Sequence, residues 1–361
     1  MNLSQRIEAF SVLGSFLQKY LSNNSFTTED IPHTDQTSRL SSAIKQAHAH
    51  NQWFTIENIL FALESIAQNL TRQKISSWTR LYPSIQSTPR KHVTFAVIMA
   101  GNIPLVGFHD FLSVLISGNR ILAKVSSKDA VLINFLADFL IEIQPEFNSL
   151  IKITDDKISD FDAVIATGSD NSSRYFDYYF RTYPTLIRKN RTSAAILNGK
   201  ETDEDLAALA KDIFMYFGLG CRNISKIFVP ANYDFTRFFH NTESFSHVIN
   251  HNKYANNYDY NKAVYLVNNI PHLDNGYLMV KEDTHLFSPV GVVFYEYYED
   301  LQSLTQQIML TRDKIQCIVT NEKAVTDKFP FGEAQKPTLI DYADGADTLH
   351  FVTDTVKHLN S

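Results

Sequence analysis

From His92 to Gly101 the chain reads HVTFAVIMAG, an apolar run that shows no alternation of polar and apolar residues. A run of this kind is the mark of a strand covered on both faces. The same texture recurs downstream, with a helical pattern between successive runs. GFHDFLSVLISG (107–118) reads as a helix, RILAKVS (120–126) as a strand and residues 129–143 as a helix. LIKIT (150–154) and DAVIATG (162–168) are the next strands, and a helix begins near Ser169. PTLIRK (184–189) and TSAAIL (192–197) read as a strand pair. Strands alternating with helices predict a parallel, doubly wound α/β sheet.

The flanks have their own patterns. Ile7, Phe10, Leu13, Phe16, Leu17 and Leu21 recur at helical spacing, and Ile56 to Leu70 repeats it. The polar stretch SNNSFTTEDIPHTDQTS (22–38) between them reads as a loop with a cap at its end. A second α/β unit is expected to begin near Gly199. It comprises a helix over 203–217, the strands SKIFVP (225–230), YLMVK (277–281), PVGVVFYEY (289–297) and IQCIVTN (315–321), and a helix over 299–310. The turn-rich FPFGEAQKPTLIDYADG (329–345) then leads into a short tail.

Composition narrows the class. Apolar residues make up 44% and charged residues 20% of the 361 positions, which fits a globular chain with ample material for a core. A net charge of −6, with no Lys/Arg-rich block, argues against nucleic acid as partner. No apolar run reaches membrane-spanning length. The start, MNLSQRIEAFSVLG, has helical spacing rather than a signal segment, and two distant cysteines do not make a disulfide framework. A cytoplasmic location is the expectation.

Of those cysteines, Cys317 lies inside a strand and is read as core. Cys221 lies in Phe217-Gly218-Leu219-Gly220-Cys221-Arg222-Asn223, where glycines permit a sharp turn and close approach of a substrate. A thiolate there is the strongest side-chain nucleophile near neutral pH. Ser169 opens a helix directly after a strand, where backbone N–H groups favour a pyrophosphate. The 26 Phe and 17 Tyr, many of them between 214 and 300, read as a ring-built core, with an apolar acyl tunnel as the sharper alternative.

The order of motifs resembles the aldehyde dehydrogenase superfamily. More narrowly it is similar to the fatty acyl reductase of bacterial bioluminescence and its acyl-CoA reductase relatives, from about residue 92 to the end. The residues that carry the resemblance are Ala100-Gly101-Asn102-Ile103-Pro104, Gly118-Asn119 followed by Lys124, Thr167-Gly168-Ser169, Gly218-Leu219-Gly220-Cys221 and Phe287-Ser288-Pro289-Val290. The 329–351 segment is also close to the C-terminal pattern of the acyl reductase branch.

The resemblance implies a two-domain α/β fold. Residues 1–90 would be a helical N-terminal region and 91–198 a parallel Rossmann-type cofactor-binding domain. Residues 199–335 would be the α/β catalytic domain, with 336–361 returning to the cofactor domain and the active site in the crevice between domains. It implies NAD(P)H-dependent reduction of an acyl thioester to an aldehyde through a thioacyl group on Cys221. The Asn102 amide and the Cys221 N–H would face the oxyanion. Thr167, Gly168 and Ser169 would bind the cofactor pyrophosphate, and Lys124 a ribose hydroxyl or 2′-phosphate, which favours NADPH over NADH. The substrate would be an acyl-CoA or acyl-carrier thioester, with an acyl-transferring protein as a further partner and no metal. Because the chain is short for this family, a dimer or tetramer does not follow from the resemblance.

Two departures bear on the chemistry. The stretch Leu186–Ser193 has no counterpart of the Glu that activates water in hydrolytic aldehyde dehydrogenases. His285 stands where the family keeps its ribose-binding Glu, with Glu282 displaced by three positions. The glycine-rich fingerprint of ordinary dinucleotide folds is absent too, as it is throughout the family this chain resembles. The two departures leave two rivals: a cysteine acyl-transferase or esterase with a decayed cofactor site, and a non-catalytic interaction protein on the same scaffold. For single residues the plain alternatives are a helix cap at Asn102 or Ser169, a solvated Lys124, packing at His109, a surface His285, and structural Glu333 and Gln335.

Overall fold

The computed structural model describes residues 1–23, 35–86, 92–168 and 170–360. They divide into two compact units: Met1–Lys189 with Thr338–Ser361, and Asn190–Pro337.

The first unit opens with four helices, α1 (Leu3–Asn23), α2 (Asp35–His50), α3 (Ile56–Asn69) and α4 (Arg72–Thr79). Helix α3 is started by Thr55, whose hydroxyl accepts the Asn58 N–H, and α4 by Thr71 in the same way. Helix α2 corrects the reading of 22–38, because Asp35–Ser38 are already helical with Asp35 in the favourable first turn. Residues 24–34 of that stretch lie outside the described residues. The α/β part continues through β1 (Thr94–Ile98), α5 (Phe108–Ile116), β2 (Arg120–Lys124), α6 (Ala130–Ile143), β3 (Ile151–Thr154), β4 (Ala163–Thr167), α7 (Asp170–Tyr179) and β5 (Thr185–Arg188).

These strands form a parallel sheet in the order β3-β2-β1-β4-β5. Alternation along each strand assigns the faces. Phe95, Val97, Ile121, Ala123, Ala163 and Ile165 join a core with Phe10, Leu13, Leu63 and Leu115 from the helices. Ala96, Val164 and Ala166 face the other way and are covered by Phe176, Phe180 and Ile187. Both faces are covered, which is why β1 has no polar face.

The second unit contains β6 (Thr192–Ile196), α8 (Asp203–Phe214), β7 (Ile224–Pro230), α9 (Phe235–Asn241), α10 (Asn252–Val267), β8 (Leu273–Asp274), β9 (Met279–Glu282), β10 (Val292–Tyr298), α11 (Leu301–Leu310) and β11 (Ile315–Val319). Its sheet runs β11-β6-β7-β10-β9-β8, parallel except for the β8–β9 hairpin. Ala194, Ile196, Phe228, Leu304, Ile308 and Ile318 pack on one face. The chain then returns to the first unit in α12 (Thr348–Leu359), capped by Asp347 and packed on α5. The tail reading had missed this helix, although Leu349, Val352 and Val356 have helical spacing.

Two further readings are corrected. Strands β5 and β6 are not a pair, since they lie in different sheets. A three-residue link is too short to return a parallel strand, and the wholly buried β6 takes β7 and β11 as neighbours instead. Helix α8 ends at Phe214 rather than 217, because the next residues leave helical geometry.

Candidate active site

The loop that carries Cys221 begins where α8 ends. The helix starts with a capping box, Thr202 Oγ1 accepting the Asp205 N–H while the Asp205 carboxylate accepts the Thr202 N–H. Past Met215, three consecutive residues take left-handed backbone: Tyr216 (φ 53°), Phe217 (φ 57°) and Gly218 (φ 77°). Two of these carry large, buried side chains, so the turn is strained and is held by its surroundings. Phe217 packs on the His251 and Tyr254 rings, at 4.4 and 6.0 Å between centroids. Cys221 follows, half-buried, whereas Cys317 is buried in β11 as read.

The backbone around Cys221 is tied down. Ser193 Oγ in β6 donates to the Cys221 carbonyl at 2.9 Å and accepts the Cys317 N–H at 3.0 Å. Asn223 Oδ1 accepts the Gly220 N–H at 2.8 Å, and the Asn223 N–H donates to the Gly220 carbonyl at 3.0 Å. Arg222 turns away from the solvent side. Its Nη1 lies 3.3 Å from the Ala334 carbonyl and 3.1 Å from Cys317 Sγ, with the guanidinium over the Phe329 ring.

Asp212 was not singled out from the sequence. It lies three residues after Leu209 on the buried face of α8 and is fully enclosed. Its carboxylate accepts the N–H groups of Gly332 (2.6 Å) and Ala334 (3.1 Å), and Gln335 Nε2 donates to its main-chain carbonyl. The FGEAQ turn is thereby fastened to α8, while Glu333 pairs with Lys336 at the surface. Burial pushes the Asp212 carboxyl up to about 7, and the two N–H groups offset only part of that. A charge at this spacing on an apolar helix face was the available signal.

Beside the loop, Phe217, Gly218, Ser225, Tyr254, Leu278 and Val292 help line a cavity of about 30 Å³. Stacked Phe214 and Phe245, with Tyr277 against Phe214, fill the surrounding volume.

In the first unit, Asn102, Lys124, Thr167 and Gly168 come to one edge of the sheet. They follow or end β1, β2 and β4, which are adjacent, and chain order reverses between β1 and β4. Asn102 is exposed and does not cap α5, whose N-cap is Gly107 five residues later. Between them Leu105 has φ 57°, and its N–H is held by Asp129 Oδ2 at 2.8 Å. Lys124 Nζ donates to the carbonyls of Asp155 (2.9 Å) and Asp156 (2.8 Å). Thr167 is half-buried, its Oγ1 3.5 Å from Arg188 Nη1. A Cβ on Gly168 would meet Ser172 Cβ at 2.8 Å and Phe176 Cε2 at 2.9 Å, so only glycine lets the turn pass this close to α7. Ser169 lies outside the described residues.

His109 packs among Trp78 and Tyr342, with Nε2 3.0 Å from the Leu339 carbonyl. His285 is an exposed residue of the second unit, with Nδ1 2.6 Å from Asp283 Oδ1. Among the described residues there is no cluster of His, Cys, Asp and Glu able to hold a metal, and no helix long and apolar enough to cross a membrane.

Solved structures of similar fold include aldehyde dehydrogenases. Aldehyde dehydrogenase 21 from Physcomitrella patens, in complex with its reaction product succinate, aligns over 99% of this chain and 85% of its own, with a TM-score of 0.66 and 10% identity. An aldehyde dehydrogenase from Mycobacterium tuberculosis complexed with NAD+ aligns over 89% and 73%, with a TM-score of 0.60 and 12% identity. An NADP-dependent enzyme from E. coli aligns over 92% and 76%, with a TM-score of 0.61 and 11% identity. No curated protein matches in sequence. The sequence pattern of acyl-CoA reductase (LuxC) matches residues 8–240, well over half of the chain. With its fold and its family both assigned, the protein is an oxidoreductase that belongs to the acyl-CoA reductase (LuxC) family.

Proposed function

We propose that the protein reduces an acyl thioester, carried by CoA or an acyl carrier, to an aldehyde with NADPH or NADH, through a thioacyl group on Cys221. The observation that carries this reading is Cys221 itself, half-buried at the end of a strained turn in a chain of the acyl-CoA reductase family. The Cys221 thiolate attacks the carbonyl carbon and the bond to the carrier sulfur breaks, so the acyl group passes to the enzyme and the carrier leaves as a thiol after taking up a proton. Negative charge gathers on the carbonyl oxygen during this exchange, and a main-chain N–H at Cys221 is a donor suited to it. The family resemblance gives the Asn102 amide the role of second donor.

A nicotinamide, when bound, supplies the hydride that takes the acyl group to the aldehyde level. The residues at the sheet edge fit such a group. Lys124 binds two carbonyls and no carboxylate, which leaves its charge for a hydroxyl or phosphate. Gly168 lies close against Ser172 and Phe176, where no side chain fits. The stretch Leu186–Ser193 offers no carboxylate to activate water, which favours reduction over hydrolysis.

The test has two arms. Acyl-CoA alone should add one acyl mass to the peptide carrying Cys221, and adding NADPH or NADH should discharge it as aldehyde while the reduced nicotinamide is consumed. Absence of any adduct across acyl chain lengths overturns the reading. An adduct without nicotinamide binding points to acyl transfer instead.

A further inference from the structure

Asn223 is 2% exposed, and its side chain uses both ends. Nδ2 donates to the carbonyls of Asp212 (3.0 Å), Ile213 (3.3 Å) and Met215 (2.8 Å), at the C-terminus of α8 where main-chain acceptors lack helical partners. Oδ1 accepts the Gly220 N–H at 2.8 Å. Only a carboxamide, in this orientation, meets three acceptors on one side and a donor on the other. One side chain therefore spans the left-handed turn, from the helix end before it to the glycine before Cys221.

The main chain adds a directional constraint. The Asn223 N–H holds the Gly220 carbonyl at 3.0 Å. A trans peptide points its C=O and N–H in opposite directions, so fixing the Gly220 oxygen fixes the direction of the Cys221 N–H. On the far side of the residue, Ser193 Oγ holds the Cys221 carbonyl, and the Cys317 N–H in the middle of β11 holds Ser193 Oγ. The peptide planes on both sides of Cys221 are thus referred to Asn223, the residue before β7, and to strands β6 and β11.

We infer that Asn223 and Ser193 are positioning residues which together fix the peptide planes around Cys221, so that the thiol and its own N–H meet one carbonyl group. The inference rests on Cys221 as nucleophile. It adds the residues that set the geometry of acyl transfer without touching the acyl group.

The experiment measures thioacyl formation from saturating acyl-CoA in the full chain, alongside alkylation of Cys221 by iodoacetamide, a reaction that needs no oxyanion donor. Asn223→Asp keeps size and the Gly220 contact but turns oxygen toward three carbonyls, and Ser193→Ala removes one hydroxyl. Both should acylate more slowly, by about 10²-fold for a displacement near 1 Å, with acyl-CoA affinity little changed. Iodoacetamide alkylation should stay near the wild-type rate. A merely loosened fold would instead expose the thiol and speed alkylation. If Asn223→Asp does not fold, Ser193→Ala decides alone. Wild-type acylation in a folded Ser193→Ala protein overturns the clamp. Cys221→Ala separates the two readings: if it still reduces acyl-CoA, the nucleophile assignment fails whatever Asn223 does.

Discussion

Arg188 and Asp110 form a two-pronged ion pair inside the first unit, Nη1 lying 2.5 Å from Oδ2 and Nη2 2.8 Å from Oδ1, with side-chain exposures of 4% and 8%. Nη2 also donates to Thr348 Oγ1 at 2.6 Å, at the first turn of α12. The end of β5, the first turn of α5 and the start of α12 meet at one guanidinium. Arg188 falls in the very stretch where hydrolytic aldehyde dehydrogenases keep a Glu, and here it turns inward.

Arg188→Ala should lower stability by about 3–5 kcal/mol, because it leaves the Asp110 charge buried and uncompensated. Urea unfolding of Arg188→Ala, Asp110→Ala and the double variant checks this. The double variant should recover part of the loss.

Asp212 makes stability depend on pH in an unusual direction. Its folded pKa, about 7, lies above the ordinary carboxylate value. The folded state therefore holds a proton that the unfolded state has released, and the stabilisation is present at low pH and lost as pH rises. The thermal midpoint should fall between about pH 5 and about pH 8 by this contribution, and Asp212→Asn should flatten the slope over that window. Differential scanning calorimetry across the range is the measurement.

Gly218→Ala tests the left-handed turn. A Cβ there would meet only the Ile213 carbonyl oxygen, at 3.6 Å, so the penalty is conformational rather than steric. It should be about 1–2 kcal/mol. Acylation at Cys221 should slow beyond what the stability change explains, which single-turnover kinetics would show.

Lys124→Ala should raise KM for NADPH more than for NADH while leaving acylation of Cys221 unchanged. Equal effects on the two cofactors would place Lys124 at a ribose hydroxyl and not at a 2′-phosphate. Fluorescence titration with each reduced nicotinamide gives the same comparison without turnover.

The parallel sheet of the first unit could be read from HVTFAVIMAG, RILAKVS and DAVIATG, because a strand buried on both faces carries its environment in its own side chains. Cys221 stood out because glycine-framed thiols are rare in a chain with two cysteines. Asn223 and Ser193 gave no such sign, and Asp212 gave only a charge on an apolar helix face. An Asn after a turn and a Ser in a strand are each ordinary, and the roles of all three come from partners up to 124 residues away. The separation of β5 from β6 was hidden for a similar reason, since adjacent strands in sequence say nothing about which sheet each joins.

By itself the sequence determined the alternation of elements, the covered strands and the glycine-framed setting of Cys221, all of which follow from local spacing and side-chain chemistry. Only the tertiary structure decided how that thiol is held. The left-handed run Tyr216-Phe217-Gly218 is locally unfavourable for two of its three residues, and no local preference predicts it. It persists because Asn223 satisfies the end of α8 and Ser193 satisfies Cys221, and hydrogen bonds between distant residues exist only once the strands that carry them have been placed.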